Sequence, residues 1–290
     1  MGANGQIGWE LRETLAHIGD VIALDRKALD LTNSDTIRQV IRKLTPAVIV
    51  NAAAYTNVDQ AETEPEQAMN INGFAPGIIA EEAKRIGAIL VHYSTDYVFD
   101  GEKSSPYVET DPPNPINVYG RSKLAGERAI EACGCDFLIL RTSWIYGLRR
   151  ENFLLTVTRA IENDYQMEVV NDQIGVPNWS RFVAETTAKI VTSIAINPER
   201  VGETYHLSAA GSVSWFGFAE AIFRYFETNE KFAFPRAISS ENYSRIAARP
   251  KNSILDASKL SRAFNIDIPN WEWCLNRCLD RYCASIDHVP

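Results

Sequence analysis

Short apolar runs alternate with amphipathic stretches through the first half of the chain. The apolar runs predict strands over residues 21–25, 47–51, 88–94 and 137–141. Apolar positions three and four apart predict helices over 34–44, over a long stretch ending near 86–87, and over 119–133, and Asn33 or Ser34 is the expected N-cap of the first. This alternation predicts an α/β fold, a doubly wound, Rossmann-type parallel sheet covered by helices on both faces.

The pattern loosens beyond residue 148, where longer helical stretches mix with short apolar runs. We predict helices over 152–163, 179–195 and 214–227, and short strands near 169–170 and 205–207. The chain therefore divides into a dinucleotide-binding domain over residues 1–147 and a smaller, mainly substrate-binding lobe over 148–290. The lobe is expected to return one or two elements to the sheet, and the cleft between the two parts is a common place for a ligand.

The composition of the 290 residues narrows the class of protein. Hydrophobic residues make up 46% and charged residues 23%, as in a folded globular protein, and the formal net charge is −8. So acidic a chain has no overall electrostatic footprint for nucleic acid or an anionic membrane. The absence of a spanning apolar run and of a secretory signal predicts a cytoplasmic protein with reduced cysteines. The scattered histidines and five cysteines do not have the spacing of a zinc site.

Three glycines near the start, Gly2, Gly5 and Gly8, form a G-x-x-G-x-x-G pattern that leads into a helix. Glycine allows a tight turn and a close approach to a pyrophosphate, which the free N–H groups of the following helix would bind. Three glycines also occur in ordinary loops. Asp25, 17 positions after Gly8, is placed to accept a hydrogen bond from an adenosine ribose. Its neighbour Arg26 could face a 2′-phosphate instead, so the choice between NAD and NADP stays open.

This glycine pattern is expected to follow a strand, yet only Met1 precedes Gly2. The strand would lie at the centre of the sheet, and its loss would leave two neighbouring backbone edges unpaired. We therefore expect the native chain to begin a few residues upstream, with the first strand missing from the sequence in hand.

Tyr119 and Lys123 form a Tyr-x-x-x-Lys pair inside a predicted helix, where residues four apart share a face. An ammonium beside a phenol lowers the phenol pKa, which would make Tyr119 a general acid near neutral pH. A solvated helix face would show the same spacing. Thr95 or Ser94, at the C-terminal end of the preceding apolar strand, could hydrogen-bond a substrate carbonyl oxygen together with Tyr119. The small residues that follow Asn51 would admit a flat ligand beside the sheet, or would simply pack tightly.

With these segments assembled, the chain resembles the extended short-chain dehydrogenase/reductases and, among them, the dTDP-4-dehydrorhamnose reductase family. The segments that carry the resemblance are residues 2–11, 50–59, 92–99, 117–127, 141–147, 170–177 and 249–253. They follow one another in the family's order from residue 2 to about residue 275, and those up to residue 147 are the most specific.

The resemblance implies a role for each matching position. Thr95, Tyr119 and Lys123 would be catalytic, and Tyr119 and Lys123 would also contact the cofactor. The other cofactor-binding residues that the resemblance implies are Gly2, Gly5, Gln6, Ile7, Gly8, Asp25, Asp30, Leu31, Ala52, Ala53 and Ala54. Thr95, Asp96 and Trp144 would touch the sugar nucleotide. Arg249 is a further candidate for phosphate or base contact, unless it forms a surface ion pair.

The activity implied is reduction of the C4 ketone of dTDP-4-dehydro-6-deoxy-L-mannose to dTDP-L-rhamnose, with NADPH or NADH as hydride donor. The alternatives are a reductase or epimerase of another nucleotide 4-ketosugar, or a non-catalytic NAD(P)-binding regulatory subunit. Some family members hold magnesium between subunits through glutamates. Glu10 matches one such position, but the sequence identifies no full ligand set, so we predict no metal. The expected partners are a nucleotide sugar and, at most, a second copy of the chain.

Overall fold

A computed structural model describes residues 1–197, 200–226 and 233–286 of the chain. The helices are α1 (Gln6–Thr14), α2 (Ser34–Leu44), α3 (Val58–Thr63), α4 (Pro65–Met69), α5 (Ala75–Ile86), α6 (Val118–Cys133), α7 (Phe153–Glu162), α8 (Ser180–Ile196), α9 (Trp215–Phe226), α10 (Ser258–Phe264) and α11 (Trp271–Ile286). The strands are β1 (Val48–Asn51), β2 (Ile89–Thr95), β3 (Phe137–Thr142), β4 (Ile145–Tyr146), β5 (Glu168–Val170), β6 (Ile174–Gly175), β7 (Asn178–Trp179), β8 (Glu203–His206), β9 (Val213–Ser214) and β10 (Arg236–Ile238).

The central sheet is parallel, in the order β1-β2-β3-β8, and confirms the predicted α/β class. Its middle strands are buried on both faces, as the continuous apolar runs predicted. β2 and β3 end in register, so that Thr95 lies beside Thr142 at the C-terminal edge of the sheet. Side chains at this edge face the region where open α/β sheets bind ligands.

The predicted helices of the first half are confirmed, and their ends have identifiable causes. The side chain of Asn33 accepts from the backbone N–H of Thr36 and caps α2. Asn117 caps α6 in the same way, accepting from the N–H of Gly120. The long helical stretch predicted after β1 is four consecutive pieces, α3, α4, a π-helical turn over Asn70–Phe74 and α5.

The strand predicted over residues 21–25 is wrong, because this segment has too few backbone partners to form a ladder. Within the described part of the chain, the only backbone hydrogen bond that joins the segment to the N-terminal turn runs from the N–H of Ala3 to the carbonyl of Leu24. Val21 and Ile22 are 39% and 57% exposed, although both are apolar. Met1 lies between this segment and β1, since its amine donates to the carbonyl of Val50 at 2.7 Å and its carbonyl accepts from the N–H of Ala52.

The second half of the chain contributes both to the sheet and to the cover of the first half. The predicted strand near 205–207 is β8, which extends the sheet beside β3. α8 packs on α1, and the hydroxyl of Thr14 donates to the carbonyl of Ala184 between them. The helices predicted over 152–163, 179–195 and 214–227 are α7, α8 and α9, although residue 227 lies outside the described residues. In the described ranges, each helix is too short or too polar to cross a bilayer.

Candidate active site

The glycine turn and the start of α1 form a cradle with room for an anionic group. Gly2 has a φ of +78°, and a Cβ there would lie 2.7 Å from the backbone nitrogen of Ala53. A Cβ on Gly8 would lie 2.0 Å from the carbonyl oxygen of Gly2. Among the described residues, no side chain caps α1 and no acid lies in its first turn. The N–H groups at its start are therefore available to a phosphate, as a dinucleotide requires.

The two predicted acids that follow the glycine turn, Asp25 and Asp30, are half-buried and ionised. Oδ1 of Asp25 accepts from the backbone N–H groups of Lys27 and Ala28, and Oδ2 accepts from the side chain of Asn4. These bonds, that of Ala28 foremost, lower the pKa of Asp25. The N–H and hydroxyl of Thr32 lower the pKa of Asp30 in the same way. Both carboxylates are therefore anchored by their own turns and retain free lone pairs for ribose hydroxyls.

Thr95 and Asp96 lie at the C-terminal edge of the sheet, where β2 turns into a short 3₁₀ segment. The hydroxyl of Thr95 accepts from the N–H of Tyr97 at 3.2 Å and donates to Oδ1 of Asp96 at 2.9 Å. Both residues are buried. Burial raises the pKa of Asp96 to about 6, because the charged form is poorly solvated there.

Tyr119, in the first turn of α6, reaches the same place from the neighbouring element. The side chain of Thr95 lies near enough to this phenol to lower its pKa. The prediction that its pKa is lowered is wrong for this structure: burial raises the pKa of the phenol, and the nearby charge of Asp96 adds to that, while the Thr95 contact and Arg249 oppose it.

Lys123 lies one turn further along α6 and is held by β2. Its Nζ donates to the carbonyl oxygen of Tyr93 at 2.6 Å and lies 3.1 Å from Nε2 of His92. Burial lowers the pKa of Lys123 to about 8. The amine therefore changes charge near physiological pH.

A pocket of about 390 Å³ opens beside Tyr97, whose ring meets the ring of Tyr119 edge-on at 5.8 Å. Arg245 and Arg249 both line it. The side chain of Arg249 is only 10% exposed and donates to Oδ2 of Asp59 at 2.8 Å. Arg249 is thus in an ion pair, but a partly buried one at the pocket wall, not one on the open surface. Two guanidinium groups in this wall suit a ligand with phosphates.

Trp144 lies directly before β4 and reaches the pocket through Trp215. Its backbone has a φ of +45°, a conformation rare for a bulky residue. Its indole stacks on that of Trp215, with ring centroids 3.6 Å apart, and Trp215 lines the pocket. The structure therefore places Trp144 behind the pocket wall, where it supports Trp215.

Several residues of this site were not predicted from the sequence. Tyr97, Arg245 and Trp215 line the pocket but belong to no short motif. His92 is buried and contacts both Lys123 and Asn51. A signal for His92 was present, since a single ionisable residue inside a buried apolar strand requires polar partners.

Glu10, which matches a metal-binding position of the family, forms an ion pair with an arginine of the chain itself. Oε2 of Glu10 lies 3.3 Å from the guanidinium of Arg181, which also pairs with Glu13 and Glu185. In the ranges that the structure describes, no cluster of three His, Cys, Asp or Glu side chains is arranged to hold a metal ion.

The chain is similar to proteins of one family over nearly its whole length. The model of the RmlD substrate binding domain matches residues 1–284. The dTDP-4-dehydrorhamnose reductase of Burkholderia thailandensis is 43% identical over 288 residues, which are 96% of each chain. That of Escherichia coli K12 is 39% identical over 96% of this chain and 95% of its own. The crystal structure of the Bacillus anthracis dTDP-4-dehydrorhamnose reductase in complex with NADP superposes with a TM-score of 0.89 at 38% identity, covering 97% of each chain.

Proposed function

The chain belongs to the dTDP-4-dehydrorhamnose reductase family, and we propose that it reduces the C4 ketone of dTDP-4-dehydro-6-deoxy-L-mannose to dTDP-L-rhamnose, using NADPH or NADH. The observation that carries the proposal is the convergence of the Tyr119 phenol and the Thr95 side chain at the C-terminal edge of the sheet, near enough for Thr95 to lower the phenol pKa. A phenol and a hydroxyl at one point can both reach one carbonyl oxygen, and the pocket beside them has room for the rest of a nucleotide sugar.

The glycine cradle over Gly2–Gly8, with Asp25 and Asp30 at its rim and Ala52–Ala54 beside it, would hold the dinucleotide. A bound reduced nicotinamide supplies the hydride to the carbonyl carbon. Tyr119 donates its phenolic proton to the carbonyl oxygen, and a general acid of this kind contributes about 10²–10⁴-fold to the rate.

Thr95 stabilises the same oxygen as negative charge develops on it. Its one hydroxyl hydrogen points at Asp96 in this structure, so the hydroxyl must rotate to donate to the substrate. Lys123, when protonated, would stabilise the phenolate that Tyr119 becomes and would hold the nicotinamide ribose.

The nucleotide diphosphate would occupy the pocket that Arg245 and Arg249 line. In a chain with a net charge of −8, an anionic substrate needs such a local positive site. The proposal includes a cytoplasmic location, action as a monomer or homodimer, and a mainly substrate-binding role for residues 148–290.

The test is oxidation of NADPH, and separately of NADH, by the purified protein with and without the dTDP-4-ketosugar. We expect oxidation that depends on the ketosugar and that falls by about 10²-fold or more in Tyr119→Phe. A panel of other nucleotide 4-ketosugars separates this substrate from its rivals. Oxidation that is independent of the sugar, or near-normal turnover of Tyr119→Phe, would contradict the proposal.

A further inference from the structure

His92 is a fully buried ionisable residue in the middle of β2, and both of its ring nitrogens have polar partners. Nε2 lies 3.1 Å from the amine of Lys123, and Nδ1 lies 3.1 Å from the side-chain amide of Asn51. We propose that His92 is a positioning residue: it holds the amine of Lys123 in place for proton transfer by Tyr119 and, through Asn51, joins it to the Ala52–Ala54 turn. This inference rests on the proposed reductase function.

The surroundings leave His92 as the main side-chain partner of Lys123. The acid one turn along α6 is Glu127, and Arg141 binds it with two hydrogen bonds of 2.9 and 2.6 Å. In the described part of the chain, Lys123 has no ion pair with a carboxylate. Its amine is therefore held by one backbone carbonyl and one imidazole nitrogen, so the loss of the imidazole leaves a long, flexible side chain with a single anchor.

The ring of His92 is neutral, because burial foremost and the neighbouring Lys123 lower its pKa well below the usual value. In a neutral imidazole one nitrogen donates and the other accepts. Oδ1 of Asn51 accepts from the N–H of Ala53, so the amide nitrogen of Asn51 faces Nδ1 of His92. Nδ1 then accepts and Nε2 carries the ring hydrogen, so Nε2 can donate to Lys123 only while that amine is uncharged, which a pKa of about 8 gives for a minor fraction of molecules near neutral pH.

Protonation of Lys123 reverses this order of donors and acceptors. An ammonium needs Nε2 as an acceptor, which moves the ring hydrogen to Nδ1 and requires the oxygen of Asn51 to face the ring. The N–H of Ala53 would then lose its acceptor. The charge of Lys123 is thus coupled to the orientation of Asn51 and to the backbone of Ala53.

That backbone belongs to the predicted cofactor site. A Cβ on Gly2 would lie 2.7 Å from the nitrogen of Ala53, so the turn over Ala52–Ala54 packs directly on the glycine cradle. The network consequently extends from the cradle to the amine beside the proton donor. It runs through β1 and β2, two strands of the sheet, which are rigid supports for a side chain that must be placed precisely enough for catalysis.

Two substitutions of His92 separate its two nitrogens. In His92→Asn the amide overlaps the position of Nδ1, which keeps a partner for Asn51 and removes the contact with Lys123. In His92→Gln the longer amide reaches the position of Nε2 and retains that contact. His92→Phe keeps a ring of similar size in the strand, removes both polar contacts, and replaces His92→Asn if the latter does not fold. His206→Asn is the matched control, since His206 is also fully buried in a strand of the sheet but bonds to the carbonyl of Tyr107.

The measurements are kcat and the KM for the sugar nucleotide, with thermal unfolding to identify variants that fold. We expect His92→Asn and His92→Phe to lower kcat by about 10–100-fold while KM changes by less than about two-fold, because a displaced catalytic side chain slows the chemical step without weakening substrate binding. His92→Gln should keep at least about a third of kcat, and His206→Asn nearly all of it.

The inference is overturned if a folded His92→Asn or His92→Phe retains kcat within about two-fold of the parent protein, or if His92→Gln and His206→Asn lose as much kcat as they do. An inactive parent protein would instead refute the proposed function, so the two failures are distinct.

Discussion

The hydroxyl of Thr95 donates a hydrogen bond of 2.9 Å to Asp96, and both side chains are buried beside the phenol of Tyr119. A carboxylate in this place is costly, since burial raises the pKa of Asp96 from 3.8 to about 6. An acid whose pKa is raised on folding binds protons more tightly in the folded state. The free energy of unfolding therefore falls as the pH rises from about 4 to about 6. The site retains a group that weakens the fold at neutral pH.

We expect Asp96→Asn to be more stable than the parent protein by up to about 3 kcal/mol at pH 7. The pKa of Asp96 is raised by about two units, and each unit corresponds to about 1.36 kcal/mol of folding free energy. The gain should shrink below about pH 6 and vanish near pH 4. Urea unfolding at several pH values measures it. Asp100→Asn is the control of opposite sign, because backbone N–H bonds lower the pKa of Asp100 and its loss should destabilise. Equal stability of Asp96→Asn and the parent protein at pH 7 would contradict the prediction.

Gly8→Ala should weaken dinucleotide binding by about ten-fold or more and cost about 1–3 kcal/mol of stability, because the new Cβ would lie 2.0 Å from the carbonyl oxygen of Gly2. The backbone of the cradle has to move to relieve that contact. Calorimetric titration with NADPH measures the affinity. Gly19→Ala is the control, since a Cβ there meets no atom within 4 Å. Undiminished affinity in Gly8→Ala would place the dinucleotide elsewhere.

Glu127→Gln should destabilise the protein by about 3–5 kcal/mol, because it leaves the guanidinium of Arg141 charged and buried without its partner. Glu185→Gln breaks an ion pair of similar length with Arg181 at the surface, where about 0–1 kcal/mol is expected. Chemical unfolding of the two variants side by side decides between these values. Similar losses would show that burial does not set the strength of these pairs.

His206 should make the protein less stable in mild acid. Burial, foremost, and Arg141 lower its pKa from 6.5 to about 3. Below pH 6.5 this histidine binds a proton in the unfolded chain but stays neutral in the folded one. Its ionisation therefore lowers the free energy of unfolding by about 2 kcal/mol between pH 6.5 and pH 5. In His206→Asn this pH dependence of the free energy of unfolding should disappear, whatever stability the substitution costs at pH 7. The free energy of unfolding of both proteins over this range tests the point, and parallel slopes would refute it.

Much of the fold could be predicted because its signals are local. The cap residue Asn33 and the apolar strands act within a few residues of their own positions in the chain. Residues 21–25 have a strand-like composition but do not form a strand, because strand formation depends on hydrogen-bond partners that lie far away in the chain. The segment's own residues contain no information about those partners.

The proton-transfer residues were identifiable for a related reason. Tyr119 and Lys123 share one helix, and Thr95 ends a recognisable strand, so short motifs locate them. The pocket wall was not identifiable, since Tyr97, Trp215 and Arg245 come together only through tertiary packing. The direction of the Tyr119 pKa shift was wrong because spacing alone shows neither the depth of burial nor the partner that Lys123 contacts.

The return of β8 to the sheet has a consequence for attempts to dissect the protein. β8 covers the outer edge of β3, and α8 shields the helix that follows the glycine cradle. A fragment that ends at residue 147 would expose both the unpaired edge of β3 and the apolar face of α1, which favours self-association over folding. We therefore expect that residues 1–147, which carry the glycine pattern, do not fold as an isolated fragment. The two halves of the chain should unfold in a single cooperative transition.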